Sequence, residues 1–254
     1  MNRCRVILLA VAVSLLAMPA LAQEKKPESV VRVYVMVAKP GMAQQFEEGR
    51  KKHMDFHRKS GDTWGWETWS IDTGEGTGNY VSVAGGHTWK DLDAWDAKLG
   101  DADTADGNKN MAPFLSASLG SIWMMMPDVS KPRAGMTPPK MQEVIHFQLK
   151  PGGESDFNYA IKKITDAINK TNWPVNYTWF TLVNGGEASH YVLIIPHDNW
   201  ASMAEPDVSF DAMIEKALGR HEADMVTKSI DHSVSKEWSE MLTFHPEMSY
   251  MPGK

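Results

Sequence analysis

The chain has 254 residues, 43% hydrophobic and 23% charged, with a formal net charge of −6 and a single cysteine. The acidic balance, without clustered Lys and Arg, argues against a protein that tracks nucleic-acid phosphates or docks on anionic lipid. One cysteine excludes a disulfide framework, and the length is sufficient for a core that needs none.

Met1–Ala22 reads as an export signal. Arg3 and Arg5 give a positive start, Val6–Met18 is apolar, and Ala20-Leu21-Ala22 fits a small-x-small cleavage site. The apolar run is shorter than the roughly 20 residues a membrane span needs, and no later segment is long and apolar enough. Cleavage removes Cys4 and both arginines, which leaves a thiol-free chain of net charge −8. The expectation is a soluble periplasmic or secreted protein, with no nucleic-acid partner and no membrane association after signal removal. Residues 23–29 are a polar leader.

The rest of the chain is written twice. Lys39-Pro40-Gly41 returns as Lys150-Pro151-Gly152, Phe46 as Phe157, Trp69 as Phe180, Tyr80 as Tyr191 and Trp89 as Trp200, in one ungapped register. The first copy spans residues 30–130 and the second 141–250. Residues 131–140, with three prolines and Gly135, form a linker. Each copy is about 100 residues, the size of one domain, so the repeat is a domain duplication rather than a solenoid.

Both copies open with an apolar strand, Val31–Ala38 and Glu143–Leu149. Helices Met42–Lys59 and Glu154–Lys170 follow the Pro-Gly turn, the second with Phe157, Ile161, Ile164 and Ile168 at helical spacing. Aromatic-rich strands Trp64–Ile71 and Val175–Val183 come next. Glycine turns lead to return strands Asn79–Ala84 and Tyr191–Ile195. A second helical stretch is regular in the second copy (Phe210–Val226) but polar and Gly-containing in the first, over Asp101–Asn110. Short apolar strands, Ile122–Met126 and Met241–Phe244, close the copies.

The order is β-α-β-β-α-β, the ferredoxin-like unit. The Val-rich strand, Lys-Pro-Gly turn and Phe-bearing helix resemble the opening of domains in the dimeric α/β-barrel superfamily, whose members include antibiotic-biosynthesis monooxygenases and NIPSNAP-like proteins. That resemblance implies an α+β chain in which two antiparallel sheets pack into one pseudo-symmetric barrel. It also makes a cofactor-independent oxidoreductase one candidate activity.

Strand alternation sorts the side chains. Ile145, Phe147 and Leu149 form a wholly apolar set expected beneath the helix, which turns Val144, His146 and Gln148 toward the space between the sheets. The same reasoning places Trp69, Ile71, Phe180 and Leu182 under the helices. Trp66, Tyr177 and Trp179 then face inward, with Tyr80 and Tyr191 assigned there too. The expected ligand site is therefore His146, Gln148, Trp66, Tyr177, Trp179, Tyr80 and Tyr191, an aromatic interior with two polar points. Plain packing of two sheets is the alternative reading of the same residues.

His53 and His57 are spaced i, i+4, which lets two imidazoles share a metal. The stretch between them lacks the Glu of zinc hydrolases, and no third ligand is evident. The expectation is a partly exposed helix edge, with no metal site and no cofactor assigned. Asp101–Gly107 departs from a calcium loop in the places of its third acid, its Gly and its last ligand, and reads as a solvated loop. Phosphate-binding loops, dinucleotide fingerprints and nucleophile elbows are absent. Three functions stay open: a binder of a small apolar or aromatic molecule between the sheets, a monooxygenase-like enzyme, or a structural domain without ligand. A homo-oligomer is compatible with each.

Overall fold

A computed structural model of the chain describes residues 29–135, 137–204 and 206–253; the expected export segment lies outside them. The first half runs β1 (Val30–Ala38), α1 (Ala43–Lys59), β2 (Glu67–Ile71), β3 (Tyr80–His87), α2 (Trp89–Trp95), α3 (Asp101–Asn110) and β4 (Leu115–Met125). The second half repeats the order with β5 (Met141–Leu149), α4 (Glu154–Thr171), β6 (Thr178–Asn184), β7 (His190–His197), α5 (Phe210–Leu218), α6 (Arg220–Ser233) and β8 (Val234–Phe244). No helix among the described residues is long and apolar enough to cross a membrane.

All eight strands close into one antiparallel barrel in the order β1-β3-β2-β8-β5-β7-β6-β4. Each half supplies four adjacent strands, and two seams join them. Trp69, Ser70 and Ile71 pair with Phe244, Thr243 and Leu242 at one seam. Their repeat counterparts Phe180, Thr181 and Leu182 pair with Met125, Met124 and Trp123 at the other. The duplication seen in the sequence is therefore also the symmetry of the closure. Closing the sheet removes both exposed edges, the usual liability of a β-structure.

Helices pack on the outside of the barrel and the inside is filled by strand side chains, so both sheet faces are apolar. This overturns part of the face assignment. Directly opposed residues share a face, and the pairs Val35–Val81 and Val81–Trp69 carry the inward face of β1 across to Trp69. Trp69, Ile71 and Phe180 consequently pack inside with Val144, Val192 and Leu242. Trp66, Tyr177, Trp179, Tyr80 and Tyr191 point the other way, beneath the helices. On β1 and β5 the expected faces hold: Val33 and Val35 line the interior with Val144 and His146, while Phe147 and Leu149 pack under α4.

Two further differences concern length and helicity. β4 and β8 each have eleven residues, far longer than the apolar runs that announce them. Their first halves, Leu115–Gly120 and Val234–Ser239, mix small or charged residues with isolated apolar ones and are largely solvent-facing, so they give no continuous apolar run. Asp101–Gly107, expected as a solvated loop, is the first part of a regular helix that runs to Asn110. It continues from α2, which starts at a Thr88/Asp91 capping box, through a π-helical turn at Asp96–Gly100.

Candidate metal centre

Helix α1 buries Phe46, Gly49, Arg50, His53, Met54 and His57 along one face. The spacing i, i+3, i+4 that usually carries aliphatic core here carries one arginine and two histidines. His53 is 3% exposed and His57 fully buried, so neither lies on an open helix edge. Across from them stands α3, which turns Asp103 and Asp106, one helical turn apart, toward α1.

His53 Nε2, His57 Nε2 and Asp103 Oδ1 form a nearly equilateral triangle. The two nitrogens are 3.3 Å apart, and Asp103 Oδ1 lies 3.2 Å from His53 Nε2 and 3.3 Å from His57 Nε2. Donors bound tetrahedrally at about 2.0 Å from a metal are separated by about 3.3 Å. Asp103 Oδ1 is buried without a hydrogen-bond partner. The triangle thus has the size of one face of a coordination shell, and it comprises the single His/Cys/Asp/Glu group among the described residues with metal-ligating spacing.

The surroundings fix the lone pairs on that face. His53 Nδ1 is 2.8 Å from Asp106 Oδ1, and His57 Nδ1 is 2.8 Å from Asp62 Oδ2. Carboxylates that accept from Nδ1–H leave Nε2 as the free donor, the arrangement that orients metal-binding histidines. Asp62 is itself fully satisfied. Oδ2 also accepts from Trp66 Nε1 at 3.0 Å, and Oδ1 accepts from Trp64 N at 2.9 Å and Trp95 Nε1 at 3.0 Å. Burial opposes its ionisation, but these four donors hold its carboxyl below the usual range. Burial likewise lowers His57, yet Asp103 and Asp62 outweigh it and raise the imidazole above its ordinary value. Asp103 stays strongly acidic for the reciprocal reason, the two histidines overcoming its desolvation.

A cavity of about 230 Å³ opens beside the triangle, lined by Arg50, Tyr34, Met36, Trp66, Ser82 and Leu115 among others. The second half supplies its own control. By the repeat register, Arg50, His53 and His57 become Ile161, Ile164 and Ile168, and Tyr34, Thr68 and Ser82 become Ile145, Trp179 and Leu193. There the same volume is filled by core, with Ile161, Ile168 and Trp179 buried and Ile145, Ile164 and Leu193 packed against them. The fold accepts a purely apolar solution at this place, so the polar set in the first half is not a demand of packing.

The residues expected to form a ligand site separate into four places. Trp66 borders the cavity beside the triangle. Tyr80, Tyr177, Trp179 and Tyr191 are helix-facing core. Tyr80 packs on Phe46 and its hydroxyl donates to Glu47. The Tyr177 hydroxyl donates to Thr165, while Trp179 and Tyr191 pack around Phe157. Only His146 of the seven faces the barrel interior, where a second, largely aliphatic cavity of about 320 Å³ lies. Its Nδ1 is 3.1 Å from His190 Nε2, its ring stacks on Trp238, and its Nε2 is buried without a partner. Burial, assisted by His146, pushes His190 down to about 4. Gln148 sits at the barrel end and donates to the Ala188 carbonyl at 2.6 Å. Tyr177 and Trp179 therefore wall no cavity with His146.

The missed residues are Asp103, Asp106, Arg50 and Asp62. The one signal available was the contrast between His53/His57 and Ile164/Ile168 at matched positions. Asp103 could not be paired with them, because nothing in the spacing shows that α3 packs on α1.

No protein-family model matches the chain, and no curated protein matches it. Solved structures do. An anthrone oxidase-like protein superposes with a TM-score of 0.54 at 10% identity, over 91% of this chain and 95% of that one. A proposed monooxygenase from Lactobacillus acidophilus NCFM gives 0.53 at 9% identity, over 89% and 97%. A mutant chlorite dismutase from Candidatus Nitrospira defluvii gives 0.50 at 8% identity, over 86% and 92%. These proteins share its fold, two ferredoxin-like halves closed into one eight-stranded antiparallel barrel. Both halves of the barrel come from one chain, and the metal-spaced triangle lies outside the barrel wall, between α1, α3 and the first-half sheet.

Proposed function

We propose that this protein binds one divalent transition metal through His53, His57 and Asp103 and acts as an oxidoreductase on a small molecule held beside it. The observation that carries the proposal is the triangle of three buried donors with edges of 3.2, 3.3 and 3.3 Å, each imidazole backed by a carboxylate. Two histidines and one carboxylate on one face leave the remaining positions open, the pattern associated with non-haem iron(II) oxygenases and also usable by zinc or manganese. A bound metal would supply Lewis acidity or redox capacity at that open face. The chain's own part is to aim both Nε2 atoms at the open face through the carboxylates on Nδ1, to exclude bulk water with Trp66, Trp95 and Tyr250, and to present the cavity. The names of the structural neighbours, which include oxidase-like and monooxygenase proteins, support the choice of oxidoreductase. The proposal includes export, since the leader read at Met1–Ala22 would deliver the centre to the periplasm or exterior.

The test is titration of chelator-treated protein with Co(II), Zn(II) and anaerobic Fe(II), followed by calorimetry and thermal melting. The expected result is one equivalent bound with a raised Tm, since a ligand selective for the native state stabilises it. His57→Ala should weaken binding by more than the 10–100-fold typical of losing an outer partner. Absence of binding at micromolar metal, or equal affinity in His57→Ala, overturns the proposal.

A second reading is favoured by one observation. His146 Nε2 makes no hydrogen bond and borders the largely aliphatic barrel interior, with Glu240 Oε2 3.8 Å away, which suits a small apolar molecule carrying one hydrogen-bonding group. This is binding between the sheets, with His146 and Glu240 at the polar end.

A further inference from the structure

Arg50 is the one charged side chain of the α1 inner face, and it is 2% exposed. Its Nε donates to Thr68 Oγ1 at 3.0 Å and its Nη2 to Ser82 Oγ at 2.6 Å. Both partners are neutral hydroxyls, which orient a guanidinium without offsetting its charge. Among the described residues no carboxylate lies within ion-pair distance of it. Burying an unpaired charge is costly, and burial indeed lowers Arg50 to about 9, which still leaves it cationic at neutral pH. The hydroxyls come from β2 and β3, from positions occupied in the second half by Trp179 and Leu193, and the arginine from the position of Ile161. Cation and supports are replaced together, as parts of one device.

Arg50 and the three metal-spaced donors line the same cavity. With a divalent ion on Asp103 and two neutral imidazoles, the cavity faces one net positive charge from the centre and a second from Arg50. Asp62 and Asp106 lie behind the imidazoles, on their Nδ1 side. Met36, Met111 and Leu115 give the cavity an apolar side, with Thr104, Asn108 and Ser118 at its border. A planar guanidinium beside an open metal face matches an anion with two oxygens on one carbon, and apolar walls match an organic body.

Resting on the metal-centre reading, we infer that the substrate or co-substrate is a small organic carboxylate whose head group is held between the open metal face and the guanidinium of Arg50.

Co(II)-loaded protein allows the test, with d–d absorption reporting the coordination shell and benzoate and its uncharged analogue benzamide as probes. Benzoate is expected to perturb the spectrum saturably and to bind at least about tenfold more tightly than benzamide, the scale of a charge-assisted hydrogen bond. In Arg50→Met, Co(II) affinity should stay within about threefold of wild type while benzoate affinity drops tenfold or more. Arg50→Lys should recover part of it. The benzoate–benzamide comparison in wild type stands even if Arg50→Met does not fold, as circular dichroism would reveal. If Co(II) does not bind wild type, the metal reading fails, and this inference with it. If Co(II) binds but benzamide equals benzoate, if inorganic phosphate binds more tightly than benzoate, or if folded Arg50→Met keeps full benzoate affinity, the metal reading survives and the carboxylate inference is overturned.

Discussion

Asp62 shows how one residue can set the chemistry of another. It sits just beyond the end of α1, where its backbone N–H donates to the His57 carbonyl and brings its carboxylate back against the His57 ring. Three tryptophan donors saturate the remaining acceptor positions, and the Tyr250 hydroxyl donates to the Asp62 carbonyl. A carboxylate so satisfied holds on to the Nδ1–H bond, so Nε2 is the ring nitrogen left to face a metal. Asp62→Asn retains the shape but offers one amide NH2 to sites that require acceptors. The expected outcome is a 10–100-fold weaker metal affinity and a loss of roughly 1–3 kcal/mol from the buried donors left unpaired. Metal titration and denaturant unfolding measure the two separately. An unchanged affinity would remove Asp62 from the orienting role.

At the scale of elements, the centre depends on how closely two helices approach. α3 buries no residue of its own, so little apolar area holds it in place. Its contact with α1 rests on the His–Asp pairs and on Gly49, where a Cβ would lie 1.9 Å from the Asn110 carbonyl oxygen. Any side chain at Gly49 pushes the end of α3 away. Gly49→Ala would gain helix propensity in isolation, but here it is expected to destabilise the protein by about 1–3 kcal/mol, the usual cost of overpacking. It should also weaken metal binding well beyond tenfold, since Asp103 moves with α3. Hydrogen exchange on Asp101–Asn110, with and without Zn(II), checks the same point. Wild type should gain protection with metal and Gly49→Ala should not. The π-helical turn at Asp96–Gly100 belongs to this arrangement, as it joins the segment that carries Trp95 to the one that carries Asp103. Such insertions recur at functional sites.

For the whole molecule, closure of the barrel creates an interior that neither half has alone. The cavity draws Val33, Val35 and Trp123 from the first half and His146, Val192 and Leu242 from the second. His146 stacks on Trp238 and meets His190, whose ring contacts Trp123 across the barrel. If this interior receives a ligand, 2-naphthol should bind more tightly than naphthalene by roughly five- to tenfold, the worth of one hydrogen bond to His146 Nε2. His146→Val should abolish the preference and shift Tm by only a few degrees, because it removes a buried nitrogen that makes no hydrogen bond while unpairing His190. Fluorescence titration decides. Equal binding of the two probes in wild type would leave His146 a packing residue.

The sequence determined the duplication, the ferredoxin-like order of elements and the inward aim of His146. Each rests on local periodicity or on a register that repeats within the chain. It also contained the contrast of His53 and His57 with Ile164 and Ile168, without the means to interpret it. The second and third strands were assigned to the wrong faces because alternation identifies two faces but not which is covered. In a closed barrel both are apolar, and only the pairing of Val35 with Val81 and of Val81 with Trp69 tells them apart. Asp101–Gly107 read as a loop because a helix docked through carboxylates lacks an apolar stripe. The metal-spaced triangle was decided by tertiary structure alone. Its third donor lies 46 residues beyond His57, on a helix whose placement depends on a glycine contact and two histidine–carboxylate pairs, and long-range packing of that kind leaves no local pattern in the sequence.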